Sequence, residues 1–371
     1  MRDRHLGTGG FCCALTCHCR SPAAFPRRGL FGYGPVEETR KKVISVIIPA
    51  KDAAQTLPAC LKGVLHQDGL RFGTDYEVIV VDDGSIDSTA DIAASMGVRV
   101  IRQANAGPAS ARNHGAREAR GELLAFTDAD CIPASGWLKA LMGAFTDARV
   151  AGAKGIYQTV EKGWVPRFVQ CEYTYKYQRL AKQETIDFID TYSAAYRREV
   201  FLQHGGFNIV FPVPSVEDQE FSFRLARRGY RLVFCPAAVV YHRHDLQVGE
   251  YARRKFGIGY WKAVMLKWLP EKALSDSHTP PSQRWQIILL GLSLVTAMVG
   301  LVFHPAIWVS AFSLAAFLIS NLPFFTFIAG YDRPVLWLAL PMTLVRAAAL
   351  MAGILWAVMS PPRIRPQPDK E

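Results

Sequence analysis

Charged residues are almost absent between Ile287 and Met359, in the C-terminal part of the sequence. This stretch contains three apolar segments in succession, Ile287–Phe303, Ala306–Gly330 and Val335–Met359. A helix needs about 20 mostly apolar residues to cross a bilayer, and the first segment is close to the lower limit. Buried helices of a soluble domain are the alternative, but three such segments argue against them. We therefore predict an all-α membrane segment over residues 286–360, in which Arg346 faces another helix, water or a lipid phosphate.

Cysteine is sparse in the body of the chain, where single residues stand at Cys60, Cys131, Cys171 and Cys235. This spacing argues against a secreted disulfide scaffold. Four more cysteines crowd the N-terminus, at Cys12, Cys13, Cys17 and Cys19. They lack the second well-spaced pair of ligands that a structural zinc site usually has. Because residues 1–42 are otherwise rich in Gly, Arg and Pro, we predict a disordered leader there.

Acidic residues are also scarce relative to basic ones, 32 against 43, and the formal net charge is +11. Nucleic-acid binding would account for this charge, but zinc-finger spacing, a helix-turn-helix pattern and an RNP-like aromatic motif are not evident. Instead, basic and aromatic residues are mixed in Glu250–Pro270, just before the apolar segments. This pattern predicts interfacial amphipathic helices over residues 246–285, with an ordinary surface helix as the alternative. The expected partner is a membrane and not a nucleic acid.

Basic residues beside a transmembrane segment favour the anionic cytoplasmic leaflet. We therefore expect an integral membrane protein whose preceding domain, residues 43–245, lies on the cytoplasmic face of the inner membrane. Residues 361–371 form a basic tail that contains Arg363, Arg365 and Lys370. Three spans would place this tail outside, whereas its charges prefer the inside. A re-entrant segment, or a third segment made of two half-spans, would resolve the conflict.

The domain before the apolar segments lacks two common phosphate-binding motifs. No Gly-x-Gly-x-x-Gly follows the first predicted strand, which disfavours a nicotinamide or flavin dinucleotide, and no Gly-x-x-x-x-Gly-Lys is present, which disfavours a P-loop NTPase. What is present is an alternation of buried strands and helices, with strands predicted at Val43–Ala50, Tyr76–Ser85 and Glu122–Asp130. This order predicts an α/β domain with a mostly parallel central sheet.

Several carboxylates stand at or just after the ends of the predicted strands: Asp52, Asp82, Asp83, Asp128 and Asp130. Ligands of such sheets bind outside the carboxyl ends of the strands. In a strand, Asp128 and Asp130 would share one face about 6–7 Å apart and would repel each other without a cation. A hard divalent cation with oxygen ligands fits this pair. Turn capping and solvation are the alternative, but structural caps would not need to cluster at one edge.

Four ordered motifs, SVIIPAKDAAQTL, VIVVDDGSIDST, NAGPASARNHGA and LLAFTDADC, closely resemble those of family 2 inverting glycosyltransferases. The resemblance continues through Ala194–Asn208, Val216–Leu232 and Val239–His244, and covers residues 43–245. It implies the GT-A fold, a nucleotide-binding α/β domain. The full prediction is therefore a GT-A domain with a mostly parallel central sheet, followed by interfacial helices and an all-α membrane segment.

The resemblance also implies roles for individual residues. It places a nucleotide-sugar site at Ala50, Asp52, Asp82, Asp83, Arg112 and Asp128. Asp130 and His242 would bind a divalent metal, Mg²⁺ or Mn²⁺, and Asp218 would be the general base. Each role has a simpler structural alternative. Asp218 could stabilise the N-terminus of a helix through the helix dipole. His242 could lie on the surface, and Arg112 could belong to a solvated helix face.

The activity that the resemblance implies is transfer of a sugar, of the hexosyltransferase type, from a UDP- or GDP-linked donor. We expect a lipid or lipid-linked acceptor because the domain lies beside the bilayer. A processive polysaccharide synthase is one alternative, but its Q-x-x-R-W motif is incomplete here: Arg284 and Trp285 are present, and Pro281 replaces the glutamine. The other alternative is a non-catalytic membrane scaffold that retains the fold.

Overall fold

The computed structural model describes residues 44–211, 215–273, 276–277, 279–362 and 364. The predicted leader with its four cysteines and most of the predicted basic tail therefore lie outside the described residues. All described residues belong to one compact unit, Lys41–Glu371. The predicted division of this unit at residues 245, 285 and 360 stays a prediction.

The described residues form one sheet of eight strands, in the spatial order β3-β2-β1-β4-β7-β6-β8-β5. Strands β1 to β4 are parallel to one another, β7 runs antiparallel between β4 and β6, and β5 runs antiparallel to β8. The predicted mostly parallel sheet is thus confirmed. The strands are β1 Ile44–Ala50, β2 Tyr76–Asp83, β3 Arg99–Gln103, β4 Leu123–Phe126, β5 Cys131–Pro133, β6 Val150–Gln158, β7 Ala194–Arg197 and β8 Arg231–His242.

Both faces of the sheet are covered, which explains the continuous apolar runs of the first two strands. Val46 and Ile48 pack into one core with helix α1, whereas Ile47 between them belongs to the core on the opposite face. The helices of the domain are α1 Leu57–Leu65, α2 Thr89–Ser95, α3 Pro108–Glu118, α4 Trp137–Gly143, α5 Trp164–Leu180, α6 Arg198–Gln203 and α7 Glu217–Arg227. Single 3₁₀ turns lie at Ala144–Thr146 and Thr191–Ser193.

The prediction that the fourth strand continues to Asp130 is wrong. Strand β4 ends at Phe126, and a turn follows in which the Cys131 amide donates to the Asp128 carbonyl at 3.0 Å. This turn allows the next residues to form β5 beside β8. Asp128 and Asp130 therefore do not share one face of a strand, and each carboxylate has its own partner.

Four long helices follow the sheet, namely α8 Val248–Leu266, α9 Pro281–Gly300, α10 Ala306–Tyr331 and α11 Leu336–Met359. In the described part of the chain, three segments are long and apolar enough to cross a membrane: Pro281–Gly300, Ala306–Tyr331 and Arg333–Met359. Helix α11 is continuous although it contains Pro341, so the third segment is not two half-spans. Among the described residues of the region predicted as interfacial helices, 246–285, α8 and a 3₁₀ turn at Pro270–Ala273 are helical, and α9 already begins there at Pro281.

Helices α8 and α11 pack so closely that their backbones touch. A methyl group added at Gly353 would lie 2.1 Å from the Phe256 carbonyl oxygen, and one at Gly259 would lie 2.4 Å from the Leu350 carbonyl oxygen. Small residues at a helix crossing permit this close approach. The glycine pair therefore fixes the distance between α8 and the last candidate span.

Arg346, the one charged residue in the middle of α11, is buried in a polar cluster. Its guanidinium donates to Glu172 Oε1 at 2.6 Å and to Gln286 Oε1 at 2.8 Å. Glu172, on α5, also accepts from Lys255 Nζ at 2.9 Å and from the Tyr251 hydroxyl at 3.0 Å. We expected Arg346 to face another helix, water or a lipid phosphate, and the structure shows that it faces other helices. This cluster joins α5 of the sheet domain to α8, α9 and α11.

Gly353→Ala should lower the thermal stability of the protein, because a backbone carbonyl has no rotamer with which to move away. Overpacking of this kind costs about 1–3 kcal/mol. Gly257→Ala is the matched control on α8, since a methyl group there meets nothing within 4 Å. It should be neutral or stabilising by up to about 1 kcal/mol. Melting temperatures in detergent test this, and equal values for the two variants would contradict the proposed contact.

Glu172→Gln should be strongly destabilising, by about 3–5 kcal/mol, because it leaves the buried Lys255 and Arg346 without a carboxylate. Arg346→Met should cost less, since Glu172 keeps Lys255. The double variant should be more stable than Glu172→Gln alone. Glu118→Gln, which breaks an exposed ion pair with Arg99, serves as the control and should change stability by less than about 1 kcal/mol. The same melting assay measures all four, and an additive double variant would argue against the cluster.

Candidate active site

The loops after β1 and β2 are tied together by Asp52. Its backbone has a φ of 49°, in the left-handed region that Asp tolerates better than most residues. The Asp52 amide donates to Ser85 Oγ at 3.0 Å, and Asp52 Oδ1 accepts from the Ile86 amide at 2.9 Å. Ala50, at the end of β1, is buried and paired in register with Asp82. Ala50, Asp52 and Asp82 thus lie at one edge of the sheet.

The two carboxylates that end β2 are both buried and both hydrogen-bonded. Asp82 Oδ1 accepts from the Ser85 amide at 3.0 Å. Asp83 accepts from the side-chain amide of Gln103 and from the amides of Ala106 and Gly107, each at 2.8 Å. Asp83 therefore holds the segment that leads into α3. Its predicted contact with a nucleotide stays a prediction.

Arg112 on α3 is buried between two carboxylates, so the solvated helix face is wrong for this residue. Its guanidinium donates to Asp128 Oδ1 at 2.7 Å and to Glu217 Oε1 at 3.0 Å. Burial alone would lower the pKa of Arg112, but Asp128 and Glu217 hold it above its usual value, so the side chain stays charged. Arg112 thereby links the turn after β4 to the start of α7.

Asp130 meets His242 because β5 pairs with β8. In this antiparallel pair Cys131 lies opposite His242, so the preceding Asp130 reaches the histidine. Asp130 Oδ2 lies 3.3 Å from His242 Nε2. The His242 ring stacks on Tyr157 with a centroid distance of 4.8 Å, and its Nδ1 is buried without a hydrogen-bond partner in the described part of the chain. His242 is therefore oriented by packing and is not a loose surface side chain.

Asp130, Cys131 and His242 offer ligand atoms within 4.8 Å of one another. Burial raises the pKa of the Cys131 thiol well above its usual value, which favours the neutral thiol. Burial would also raise the pKa of Asp130, but the hydrogen bond and charge of His242 outweigh burial, and the pKa lies below its usual value. A carboxylate and an imidazole remain as donors. These residues fit a divalent ion such as Mn²⁺ or Mg²⁺ that completes its shell with water and substrate oxygens.

Asp218 lies in the first turn of α7, where an acid also favours the helix dipole. Its carboxylate accepts from the Gln219 amide at 2.7 Å and from the Thr191 amide at 3.3 Å. Burial and the neighbouring Glu217 raise the pKa of Asp218 to about 7, although Arg112 opposes this shift. Asp218 therefore does lie at the start of a helix, as the structural alternative expected. Its carboxylate also lines a cavity, and its pKa allows it to exchange a proton near neutral pH.

The cavity has a volume of about 950 Å³, and Asp128, Glu217 and Asp218 are among its lining residues. Its lining also includes apolar side chains of two candidate spans, Ile287 and Ile288 on α9 and Leu350 and Ile354 on α11. A ligand in this cavity can thus contact the carboxylates and an apolar surface at the same time.

Three further residues line the cavity without having been predicted as site residues, Glu217, Asp190 and Tyr192, and Lys154 lies beside them. Lys154 on β6 is buried, forms an ion pair with Asp190, and lies 3.4 Å from the Tyr192 hydroxyl. Burial lowers the pKa of Lys154 to about 7. One signal was available: Lys154 is the single charged residue of an otherwise apolar strand, AGAKGIY. Nothing in the sequence indicated which acid it would meet.

Comparison with known proteins agrees with this architecture. Residues 45–205 match the family model described as glycosyl transferase family 2. A pre-mycofactocin glycosyltransferase of Mycobacterium tuberculosis is 29% identical over 240 residues, which cover 62% of this chain and 48% of that protein. Glycosyltransferase AglE of Haloferax volcanii is 27% identical over 239 residues, covering 62% of this chain and 75% of the relative. The chain thus spans about half the length of the mycobacterial relative.

Among solved structures, the mannosyltransferase PcManGT from Pyrobaculum calidifontis, in complex with GDP-Man and Mn²⁺, shares the fold. The TM-score is 0.57 at 20% sequence identity, over 87% of this chain and 89% of that one. This match extends beyond the sheet domain. The prediction of the GT-A fold is confirmed, and the predicted resemblance to family 2 glycosyltransferases is confirmed over residues 45–205.

Proposed function

We propose that this protein is a membrane-associated, metal-dependent inverting glycosyltransferase that moves a sugar from a nucleotide-linked donor to a lipid or lipid-linked acceptor. The observation that carries the proposal is the single cavity that joins the catalytic carboxylates to the apolar helices. A donor linked to UDP or GDP is the class we favour, and GDP-Man is the ligand named for PcManGT. The catalytic domain of this chain would lie on the cytoplasmic face of the inner membrane, next to the basic residues before α9.

Asp128, Asp130 and His242 form the donor end of the proposed site. A divalent metal bound there supplies positive charge that stabilises the departing diphosphate. Asp130 and His242 would hold the metal, and Asp128, oriented by Arg112, would face the sugar nucleotide. Ala50, Asp52, Asp82 and Asp83 lie at the edge of the sheet where the nucleotide is expected.

Asp218 is the proposed general base. An acceptor hydroxyl attacks the anomeric carbon, the bond from that carbon to the diphosphate oxygen breaks, and the hydroxyl proton passes to the Asp218 carboxylate. One base is sufficient for an inverting transfer, and no covalent nucleophile is needed. A pKa of about 7 leaves a large ionised fraction at neutral pH.

Two alternatives remain distinct from this proposal. A processive synthase would use an arginine and a tryptophan at the membrane boundary, and here Arg284 donates to Asp276 at 2.8 Å while Trp285 is exposed. The described residues contain three candidate spans, which favours a single addition over extrusion of a polymer. A non-catalytic scaffold would transfer no sugar at all.

The direct test is sugar transfer by the full-length protein in detergent. UDP- and GDP-sugars are supplied with Mn²⁺ or Mg²⁺ and a native membrane-lipid extract, and labelled products are separated by solubility in organic solvent. The proposal expects a labelled lipid product from at least one donor. Labelled polymer would favour the synthase, and donor binding without any product from several extracts would favour the scaffold.

Asp218→Asn should lower the rate of transfer by about 10²–10⁴-fold, because the proton acceptor is lost. Donor affinity should change little, since Asp218 faces the acceptor side of the cavity. The matched control is Asp91→Asn, an exposed acid in the first turn of α2. In the wild type, the rate should fall as the pH drops below about 7, where Asp218 becomes protonated. A wild-type profile that is flat between pH 5 and pH 8 would count against this base.

Asp130→Ala and His242→Ala should each weaken Mn²⁺ binding in the presence of nucleoside diphosphate by about 10-fold or more. Electron paramagnetic resonance of free Mn²⁺ measures this without turnover. Asp68→Ala and His66→Ala, both exposed and outside the cavity lining, are the matched controls. Unchanged Mn²⁺ affinity in both test variants would remove these two residues from the proposed metal site.

A further inference from the structure

The charged residues that line the cavity differ in sign according to the elements that carry them. The turn after β4, the segment before β7 and the start of α7 carry the carboxylates Asp128, Asp190, Glu217 and Asp218, and α3 adds Arg112. The side formed by α5, α8 and the start of α9 carries six basic residues, which we call the basic wall: Lys176, Arg253, Arg254, Lys255, Lys262 and Arg284. Two acids, Glu172 and Glu250, line the cavity on that side.

Ion pairs within the protein leave an excess of positive charge at the basic wall. Glu172 is shared by Lys255, at 2.9 Å, and by Arg346, at 2.6 Å. Asp276 Oδ2 is likewise shared by Lys262, at 3.1 Å, and by Arg284, at 2.8 Å. Two carboxylates therefore serve four cations, one of which, Arg346, lies outside the basic wall, and each of these two groups keeps a net positive charge. Arg254 of the basic wall pairs with Asp245 at 2.6 Å.

This excess is held in a poorly solvated place. The side chain of Lys255 is 7% exposed, and burial lowers its pKa to about 8 although Glu172 opposes the shift. Burial, together with neighbouring Lys255, lowers the pKa of Lys176 well below its usual value. An incoming anion favours the charged form of such lysines, because it supplies the stabilisation that water no longer gives them.

We propose that the basic wall binds a phosphate group of the acceptor, and that the acceptor is an anionic lipid. This inference rests on the proposed function and names its acceptor class. The apolar side chains Ile288, Leu350 and Ile354 line the same cavity, so an amphiphile with a phosphate between its hydroxyl-bearing head and its hydrocarbon chain matches both surfaces. Basic residues that merely attract the bilayer would lie on the outer surface and would not need to line this cavity.

The basic wall is separated in role from the donor end. Asp130 and His242 do not line this cavity, whereas Asp128 and Asp218 do. With the donor on Asp128 and Asp130, an acceptor reaching in from the apolar helices passes the basic wall before it reaches Asp218. The phosphate therefore positions the acceptor hydroxyl and takes no part in bond making.

Binding of three defined probes to the full-length protein in nonionic detergent, without nucleotide or metal, tests the proposal. Dioctanoyl phosphatidic acid carries both phosphate and chains, dioctanoylglycerol lacks the phosphate, and glycerol 3-phosphate lacks the chains. The phosphatidic acid should bind at least about tenfold more tightly than either of the others. Equal binding of phosphatidic acid and dioctanoylglycerol would overturn the anion site. Equal binding of glycerol 3-phosphate would overturn the lipid as its source.

Lys176→Gln and Arg253→Gln should each weaken phosphatidic acid binding, and the double variant should lose at least about tenfold. Lys182→Gln, an exposed lysine just beyond α5, is the matched control and should bind as the wild type does. An equal loss in this control would show that the effect is not specific to the basic wall. Weaker binding of UDP or GDP with Mn²⁺ in the two test variants would assign the basic wall to the donor. Either result would overturn the proposal. Sugar transfer in the lipid-extract assay is scored separately, so failure of the glycosyltransferase function is distinguishable from failure of this site.

Discussion

The ion cluster around Glu172 is the interaction on which the arrangement of the whole chain depends. It is the point where a helix of the sheet domain meets α8, α9 and α11 through charged and polar side chains. Buried charge is costly unless each group is paired, so the cluster forms fully only when all four helices are in place. The cavity is bounded by these same helices. Its shape, and the position of its apolar end relative to Asp218, therefore follow from the pairing of Glu172.

The candidate active site depends on strand order in a comparable way. Asp130 and His242 are far apart in sequence, and they meet because the last residues of β8 pair with β6 on one side and with β5 on the other. Arg112 then connects Asp128 to Glu217, the neighbour of Asp218. One buried guanidinium thus joins Asp128 to the residue beside Asp218, which fixes the turn after β4 relative to the start of α7.

Much of this architecture could be predicted from the sequence, because hydrophobic periodicity and the positions of carboxylates after strands reflect local chemistry. The mostly parallel sheet and the apolar helices both followed from such patterns. The geometry around Asp128 and Asp130 did not, because the turn after Phe126 depends on pairing with a strand more than a hundred residues away. The partner of Arg346 was equally hidden, since the sequence indicates that a buried arginine needs an acid but not which one.

The close backbone approaches at Gly259 and Gly353 have a consequence for which ligands this cavity can admit. Where two helices meet through side chains, a ligand can widen the gap by moving rotamers, and the pocket adapts. Here main-chain atoms of α8 lie directly against main-chain atoms of α11, and no side-chain layer exists between them to rearrange. This boundary of the cavity is therefore rigid. The width of a hydrocarbon chain that fits on this side would be limited by backbone geometry, and little variation among chains would be tolerated.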